Sequence, residues 1–351
     1  MTDVAFLSTD WSFYDGVPKP NGCCYYRCVL PSIELQNLGW DAHCGLPVGT
    51  DEHGFGLSKD DGGLFGFENL VFKLMMHSSG PPLMALSQSK GSRVVVDIDD
   101  FHFRIPEANV AARTTDPHKN GDNNRMFYEM GIRQADSVIV STEFLANFYE
   151  RRCRDVRLMR NFLDVARYSM IEQPDVPVFG WVGATPWRTG GDLELLRDWL
   201  PRFVSETSVQ LHHSGHIPCD PKHFAARTGT RRVQTTVMSD MDNYPKLLTY
   251  FHVGLVPLNL CDFSESKSYL KGLEYAAAGI PFIASPTTEY RLLHASGVGR
   301  LASTPDEWMD HARELMDPDV RREEAMRQRA IVEAEFNIAD KGEAWATAIL
   351  G

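Results

Sequence analysis

No apolar run in this 351-residue chain reaches the roughly 18 to 20 residues that a membrane-spanning helix needs. The N-terminus, MTDVAFLSTDW, lacks the basic start and cleavage region of a secretory signal, so a cytoplasmic location is expected. Cysteine is scarce and odd in number, seven in all, scattered from Cys23 to Cys261, which argues against a disulfide framework. Cys23, Cys24 and Cys28 invite a metal cluster, but no second Cys/His pair is placed to complete a tetrahedral site, and reduced thiols beside a helix start are the expectation. Positive charge is also short: 35 Lys and Arg against 47 Asp and Glu leave a formal charge of -12. Proteins that grip a nucleic-acid backbone carry a basic stripe. The densest cluster here, Arg151, Arg152, Arg154, Arg157 and Arg160, reads as the solvated face of a helix. Net charge does not forbid a local basic groove, so a nucleic-acid acceptor stays open. Internal repeats and low-complexity segments are absent.

What is present is an ordinary globular composition, 43% hydrophobic and 23% charged, in a chain long enough for two domains with a core each. Strand and helix signals alternate. Strands are expected at Val4 to Ser8, Asp41 to Leu46, Leu70 to Met75, Arg93 to Ile98 and Asp136 to Val140. A helix is expected from Cys24 to Leu38 after a Gly/Pro-rich loop, and Ser141-Thr142-Glu143 reads as a helix cap. Two prolines in IEQPDVPVF mark an interdomain linker. The alternation then restarts with strands at Val178 to Val182, Ser208 to His212, Val253 to Pro257 and Phe282 to Ser285. Helices fall near Asp192 to Phe203, Asn243 to Phe251 and Ile338 to Leu350. Two such runs imply an α/β protein of two doubly wound, parallel-sheet domains facing each other across a cleft.

The most informative stretch is Phe263 to Ser285. Ser264, Glu265 and Ser266 suit a helix start, Tyr269, Leu270, Leu273 and Ala277 give it one buried face, Gly279 stops it, and Pro281 leads into a strand. Unpaired N–H groups at such a start favour a phosphate, with Lys267 adding a full charge. Glu274, two turns on, is placed to accept hydrogen bonds from a ribose diol.

This stretch resembles the donor signature of retaining glycosyltransferases of the GT-B fold, group 1 family. Their pattern is Glu, seven residues, Glu, a run of small residues, Gly, any residue, Pro. Glu274 matches the second glutamate and Ala276-Ala277-Ala278-Gly279-Ile280-Pro281 the tail. The first glutamate falls on Ser266, with Glu265 one residue early, and Lys267-Ser268 resembles a sub-branch of the family. The resemblance implies two Rossmann-like domains, 1–168 on the acceptor side and 169–336 binding the nucleotide sugar, with a last helix in 337–351 crossing back. It places Gly22, in Asn21-Gly22-Cys23-Cys24-Tyr25-Tyr26-Arg27, and Gly183, in Gly180 to Arg188, close to bound ligands. Arg188 and Lys267 become a diphosphate clamp, Met238 lies where the base packs, and Glu265, Ser266, Ser268, Tyr269 and Glu274 become donor contacts. His216 and Glu289 are further cleft candidates, though the histidines of LHHSGH also read as ordinary surface residues.

Asp97-Ile98-Asp99 invites a metal-bridged diphosphate, but transferases resembling this chain work without a metal, and none is expected as cofactor. Asp99 takes the position near the reacting carbon where the family often has histidine, and either it or His102 is placed to act on the acceptor hydroxyl. Alternatively, Asp97 and Asp99 cap the following loop. The resemblance implies transfer of a hexosyl or pentosyl group from a nucleoside diphosphate sugar to an acceptor hydroxyl on a saccharide, protein or small molecule. Two alternatives stand beside it. One is transfer to a hydroxymethylated DNA base, favoured if Arg27, Arg104, Lys119 or Arg125 line a basic groove. The other is a nucleotide-sugar binding protein without turnover.

Overall fold

In the computed structural model, residues 2–45, 66–109, 111–115, 124–183, 191–215, 230 and 232–351 are described. The first half contains β1 (Asp3–Ser8), a hairpin of β2 (Trp11–Tyr14) and β3 (Val17–Pro20), β4 (Asp41–Gly45), β5 (Asn69–Lys73), β6 (Arg93–Ile98), β7 (Ser137–Val140) and β8 (Val156–Leu158). Outside the hairpin these strands form one parallel sheet in the order β4-β1-β5-β6-β7-β8. The second half contains β9 (Val178–Val182), β10 (Gln210–Gly215), β11 (Val233–Val237), β12 (Val253–Val256), β13 (Phe282–Ala284) and β14 (Arg300–Leu301). They form a second parallel sheet, β11-β10-β9-β12-β13-β14. Central strands such as DVAFLS and RVVVDI are buried almost throughout, as strands covered by helices on both faces must be.

Several local expectations need correction. The Gly/Pro-rich loop after β1 is the β2–β3 hairpin, an isolated two-stranded ribbon whose edges tolerate Pro18 and Pro20. The helix expected from Cys24 runs as Gly22–Cys24, a π-helical turn Tyr25–Val29, then Leu30–Asn37. The arginine cluster is not one helix face. The helix Glu143–Tyr149 ends before it, Arg157 lies in β8 beside Asp155, and Arg160 pairs with Glu143 and Glu289. Thr142 caps that helix by accepting from the Leu145 N–H.

The proline-bearing stretch after Tyr168 is docked rather than loose. The Ile171 N–H donates to the Ala278 carbonyl at 3.1 Å, and the Gln173 amide donates to the Gly279 carbonyl at 2.9 Å. The last helix, Gly342–Leu350, packs on the helix Leu30–Asn37 of the first half. Its Trp345 ring stands edge-on to Phe6 at 6.3 Å and lies under the Arg27 guanidinium at 4.7 Å. Among the described residues, no helix is long and apolar enough to cross a membrane, and the six described cysteines are free.

Candidate active site

Between the carboxyl ends of the two sheets lies a cavity of about 950 Å³. Open α/β sheets bind ligands at this edge. The helix Leu270–Ala277 forms one wall. Gly254 of β12 brings it close, since a Cβ there would lie 2.4 Å from the Tyr275 ring. Gly279 ends it in the left-handed region, φ 69°, with the Ile280 N–H bonding the Tyr275 carbonyl at 2.9 Å.

This helix does not begin at Ser264 to Ser266. A short turn, Asp262–Glu265, comes first, and the N–H groups of Glu265, Ser266 and Lys267 bond the carbonyls of Cys261, Asp262 and Ser264. The Ser266 hydroxyl donates to the Phe263 carbonyl at 2.7 Å, and the Ser266 carbonyl accepts from Thr142 Oγ1 at 3.1 Å. These side-chain bonds compete with helix continuation. The open end with unpaired N–H groups therefore begins at Leu270.

Glu274 faces the cavity but is only 5% exposed. Its Oε1 accepts from the Tyr26 hydroxyl at 2.5 Å, and its Oε2 from the Tyr244 hydroxyl at 2.7 Å. Burial pushes its carboxyl up, against the lowering effect of those two bonds and of Lys271. Tyr26 thus reaches across from the π turn of the first domain, and its hydroxyl also lies 2.9 Å from that of Tyr168.

Of the two cations expected as a clamp, Lys267 lies within the described residues. Lys267 Nζ pairs with Asp100 at 3.0 Å and sits 4.3 Å from the centre of the Phe263 ring. Lys271, one turn further on, lines the cavity and makes no ion pair among the described residues. A Cβ on Gly183 would come within 3.4 Å of its Nζ. Burial pushes the Lys271 ammonium down, the Lys267 charge adds to this, and Glu274 and Asp192 oppose it.

Gly22, Gly183, Met238, Ser268, Asp99 and Lys267 also line the cavity. Four residues expected at the donor do not. Both the N–H and the hydroxyl of Thr288 donate to Glu265, which caps the helix Thr288–Ala295 instead. Ser266 is buried in its turn, Tyr269 packs edge-on against Phe336, and Glu289 is buried against Arg160 at 2.6 Å. Arg188 and His216 lie outside the described residues. The preceding His212 and His213 are buried in β10 rather than on the surface, with His213 stacked on Trp181.

On the opposite wall Asp99 is paired with Lys73. Burial alone raises the Asp99 carboxyl, but the Lys73 ammonium prevails and holds it well below the usual carboxylate range. The Lys73 pair thus favours the ionised form of Asp99. Asp97 is buried and engaged within the first sheet. It accepts from Arg27 Nη2 at 2.6 Å and lies 3.5 Å from Lys73. Among the described residues, no three His, Cys, Asp or Glu side chains are placed to hold a metal ion.

His102 is 9% exposed and lines the cavity, with both ring nitrogens lacking a hydrogen-bond partner among the described residues. Burial pushes its pKa down to about 4. Among the described residues, the side chains named for a basic groove are paired or buried. Arg27 is fully buried, Arg104 pairs with Asp262 at 2.6 Å, Arg125 lies 3.7 Å from Glu129, and Lys119 is outside the described residues.

Sequence reasoning missed Lys271, Tyr26, Tyr244, Asp10 and Asp100 as wall residues. Lys271 was findable, because it stands three residues before Glu274 and so shares its helix face. The others come from distant segments.

No family model matches the chain, and no curated protein matches it. Solved structures do. Sucrose-phosphate synthase from Thermosynechococcus elongatus superposes with a TM-score of 0.65 at 15% identity, covering 99% of each chain. HepE from Anabaena, solved in complex with UDP-glucose, gives a TM-score of 0.64 at 13% identity, again over 99% of each chain. A glycosyltransferase from Rickettsia africae gives 0.61 at 11% identity, over 100% of this chain and 99% of its own. With two parallel Rossmann-like sheets and a cavity at their facing carboxyl ends, the chain has the GT-B fold.

Proposed function

We propose that the protein is a retaining, metal-independent glycosyltransferase using a nucleoside diphosphate sugar. The observation that carries the reading is the cavity wall in which a buried carboxylate, Glu274, an ammonium without an ion pair among the described residues, Lys271, and the open start of one helix lie within two turns. A nucleoside diphosphate presents the complementary groups, a ribose diol and two phosphates, at similar spacing.

In the proposed reaction the acceptor hydroxyl oxygen bonds to the anomeric carbon on the face from which the diphosphate departs. The bond from that carbon to the diphosphate oxygen breaks, its electron pair stays on the oxygen, and the hydroxyl proton passes to that same oxygen. Lys271 and the helix start stabilise the growing charge on the leaving group, with Arg188 as the family pattern suggests. Lys267 bridges the cleft to Asp100 and helps exclude water. Asp99 stays ionised and favours positive charge developing on the sugar ring.

The test is a titration of the purified protein with UDP, GDP, ADP and dTDP, without added metal. UDP comes first because HepE was solved with UDP-glucose. One nucleotide should bind, at least tenfold more weakly in Glu274→Gln and Lys271→Met and unchanged in Glu265→Ala. Binding of none of the four, or equal binding in all three variants, would sink the reading.

A further inference from the structure

The first-domain wall of the cavity bears on the acceptor, and the inference below rests on the transferase reading. Three carboxylates face the cavity: Asp10, which follows β1, and Asp99 and Asp100, which follow β6. Asp10 accepts from the Cys24 N–H at 3.0 Å and the Asn21 amide at 3.1 Å. Asp99 is engaged by Lys73 and Asp100 by Lys267. A carboxylate offers about four acceptor positions and no donor, so each keeps capacity for a hydroxyl.

The cations that balance this wall are already paired: Lys267 lines the cavity but is held by Asp100 at 3.0 Å, and Lys73 and Arg27 are buried. Lys73 has no exposed surface and does not line the cavity. Arg27 spends its guanidinium on Asp97, the Met159 carbonyl and Asn161. Lys271, which makes no ion pair among the described residues, belongs to the opposite, donor wall. An incoming acceptor therefore meets carboxylates with no accessible unpaired cation beside them among the described residues.

His102 supplies an independent observation. It is more than nine-tenths buried, lines the cavity, and has two buried ring nitrogens without partners among the described residues. The Tyr128 ring stands edge-on to it at 5.3 Å and fixes its place. A neutral imidazole offers one donor and one acceptor, the pair that a sugar hydroxyl satisfies.

We propose that the acceptor is an uncharged saccharide, bound through its hydroxyls by Asp10, Asp99, Asp100 and His102, and that acceptors carrying phosphate or carboxylate are rejected by this wall. The same carboxylates exclude nucleic acid, whose backbone brings a charge with every nucleotide.

The experiment uses the full chain and the nucleotide sugar selected by the titration above. Nucleoside diphosphate release is measured with neutral mono- and disaccharides, each beside its 6-phosphate and its uronic acid, and with a single-stranded oligonucleotide. At least one neutral sugar should accelerate release tenfold or more over water alone. Its phosphorylated and carboxylated counterparts should show kcat/KM at least tenfold lower. Asp10→Asn and Asp100→Asn should narrow that ratio towards one, a change that mere loss of packing does not produce, and His102→Ala should raise KM for the neutral sugar. A phosphorylated sugar, uronate or oligonucleotide used as well as the neutral partner overturns the proposal, and so does a neutral panel without effect while the donor is bound. If no nucleotide binds in the titration, the transferase reading itself has failed, which is a separate result.

Discussion

Replacing Tyr26 by phenylalanine removes a single hydroxyl, and the structure fixes what that hydroxyl does. It donates to Glu274 Oε1 at 2.5 Å and lies 2.9 Å from the Tyr168 hydroxyl, joining the two domains at the base of the cleft. A hydrogen bond to a buried charged group is worth about 1.5–3 kcal/mol, so Tyr26→Phe should lower stability to urea by roughly 2 kcal/mol. A ribose diol seeking the same carboxylate must displace that hydroxyl, because Tyr244 holds the other oxygen at 2.7 Å and little of Glu274 is exposed. In the variant this displacement costs nothing. The selected nucleotide should then bind more tightly by up to about 2 kcal/mol, on the order of thirtyfold. One lost bond thus acts with opposite signs on folding and on binding. Isothermal titration and urea denaturation on the same preparation read both, with Glu274→Gln as the control that loses binding. Unchanged or weaker nucleotide affinity in a destabilised Tyr26→Phe protein would refute the competition.

Arg27→Met should cost about 3–5 kcal/mol, since it leaves Asp97 buried with only Lys73 at 3.5 Å. It should also loosen the final helix, which loses the guanidinium over Trp345, and protease cleavage near the C-terminus should accelerate. Buried histidines should make the protein lose stability as pH falls below 7. Burial lowers the folded pKa of His102 and of His213 from about 6.5 to about 4, so the folded state binds protons less readily than the unfolded one. Their contribution is complete above the unfolded pKa and is lost as pH falls from about 6.5 towards 4, on the order of 2 kcal/mol each at pH 5. Urea midpoints at pH 7 and pH 5 check this, and His213→Phe should flatten part of the slope.

The strands were legible where they are covered on both faces. Val4 to Ser8, Arg93 to Ile98 and Val178 to Val182 carry continuous apolar or β-branched runs, and the observed boundaries agree to within a residue. The hairpin Trp11–Pro20 was hidden because prolines in one strand read as loop. Gly279 as a helix stop is a purely local device, and it stands where the sequence places it. The start of the same helix is not local. Thr142 takes the Ser266 carbonyl, and Asn161 donates to the Ser268 hydroxyl at 2.7 Å, both from the other half of the chain. Spacing could not reveal that Glu265 turns to cap the helix at Thr288, nor that Lys267 is spent on Asp100. Glu274 was legible as a buried helix carboxylate, whereas its tyrosine partners Tyr26 and Tyr244 stand 248 and 30 residues away.

The return of the last helix to the first domain means that the polypeptide passes between the domains twice. The two passages run side by side. Leu163 bridges Asn337 in parallel fashion, its N–H bonding the Phe336 carbonyl at 3.2 Å and its carbonyl accepting from the Ile338 N–H at 2.9 Å. A single tether would let one domain swivel in any direction, but two tethers pinned together leave mainly bending about a line through them. Opening of the cleft is then closer to a book than to a ball joint. The pairs Arg104–Asp262 and Lys19–Asp242 join its two covers and must part as it opens. A nick in either tether alone would leave the covers bound by the other.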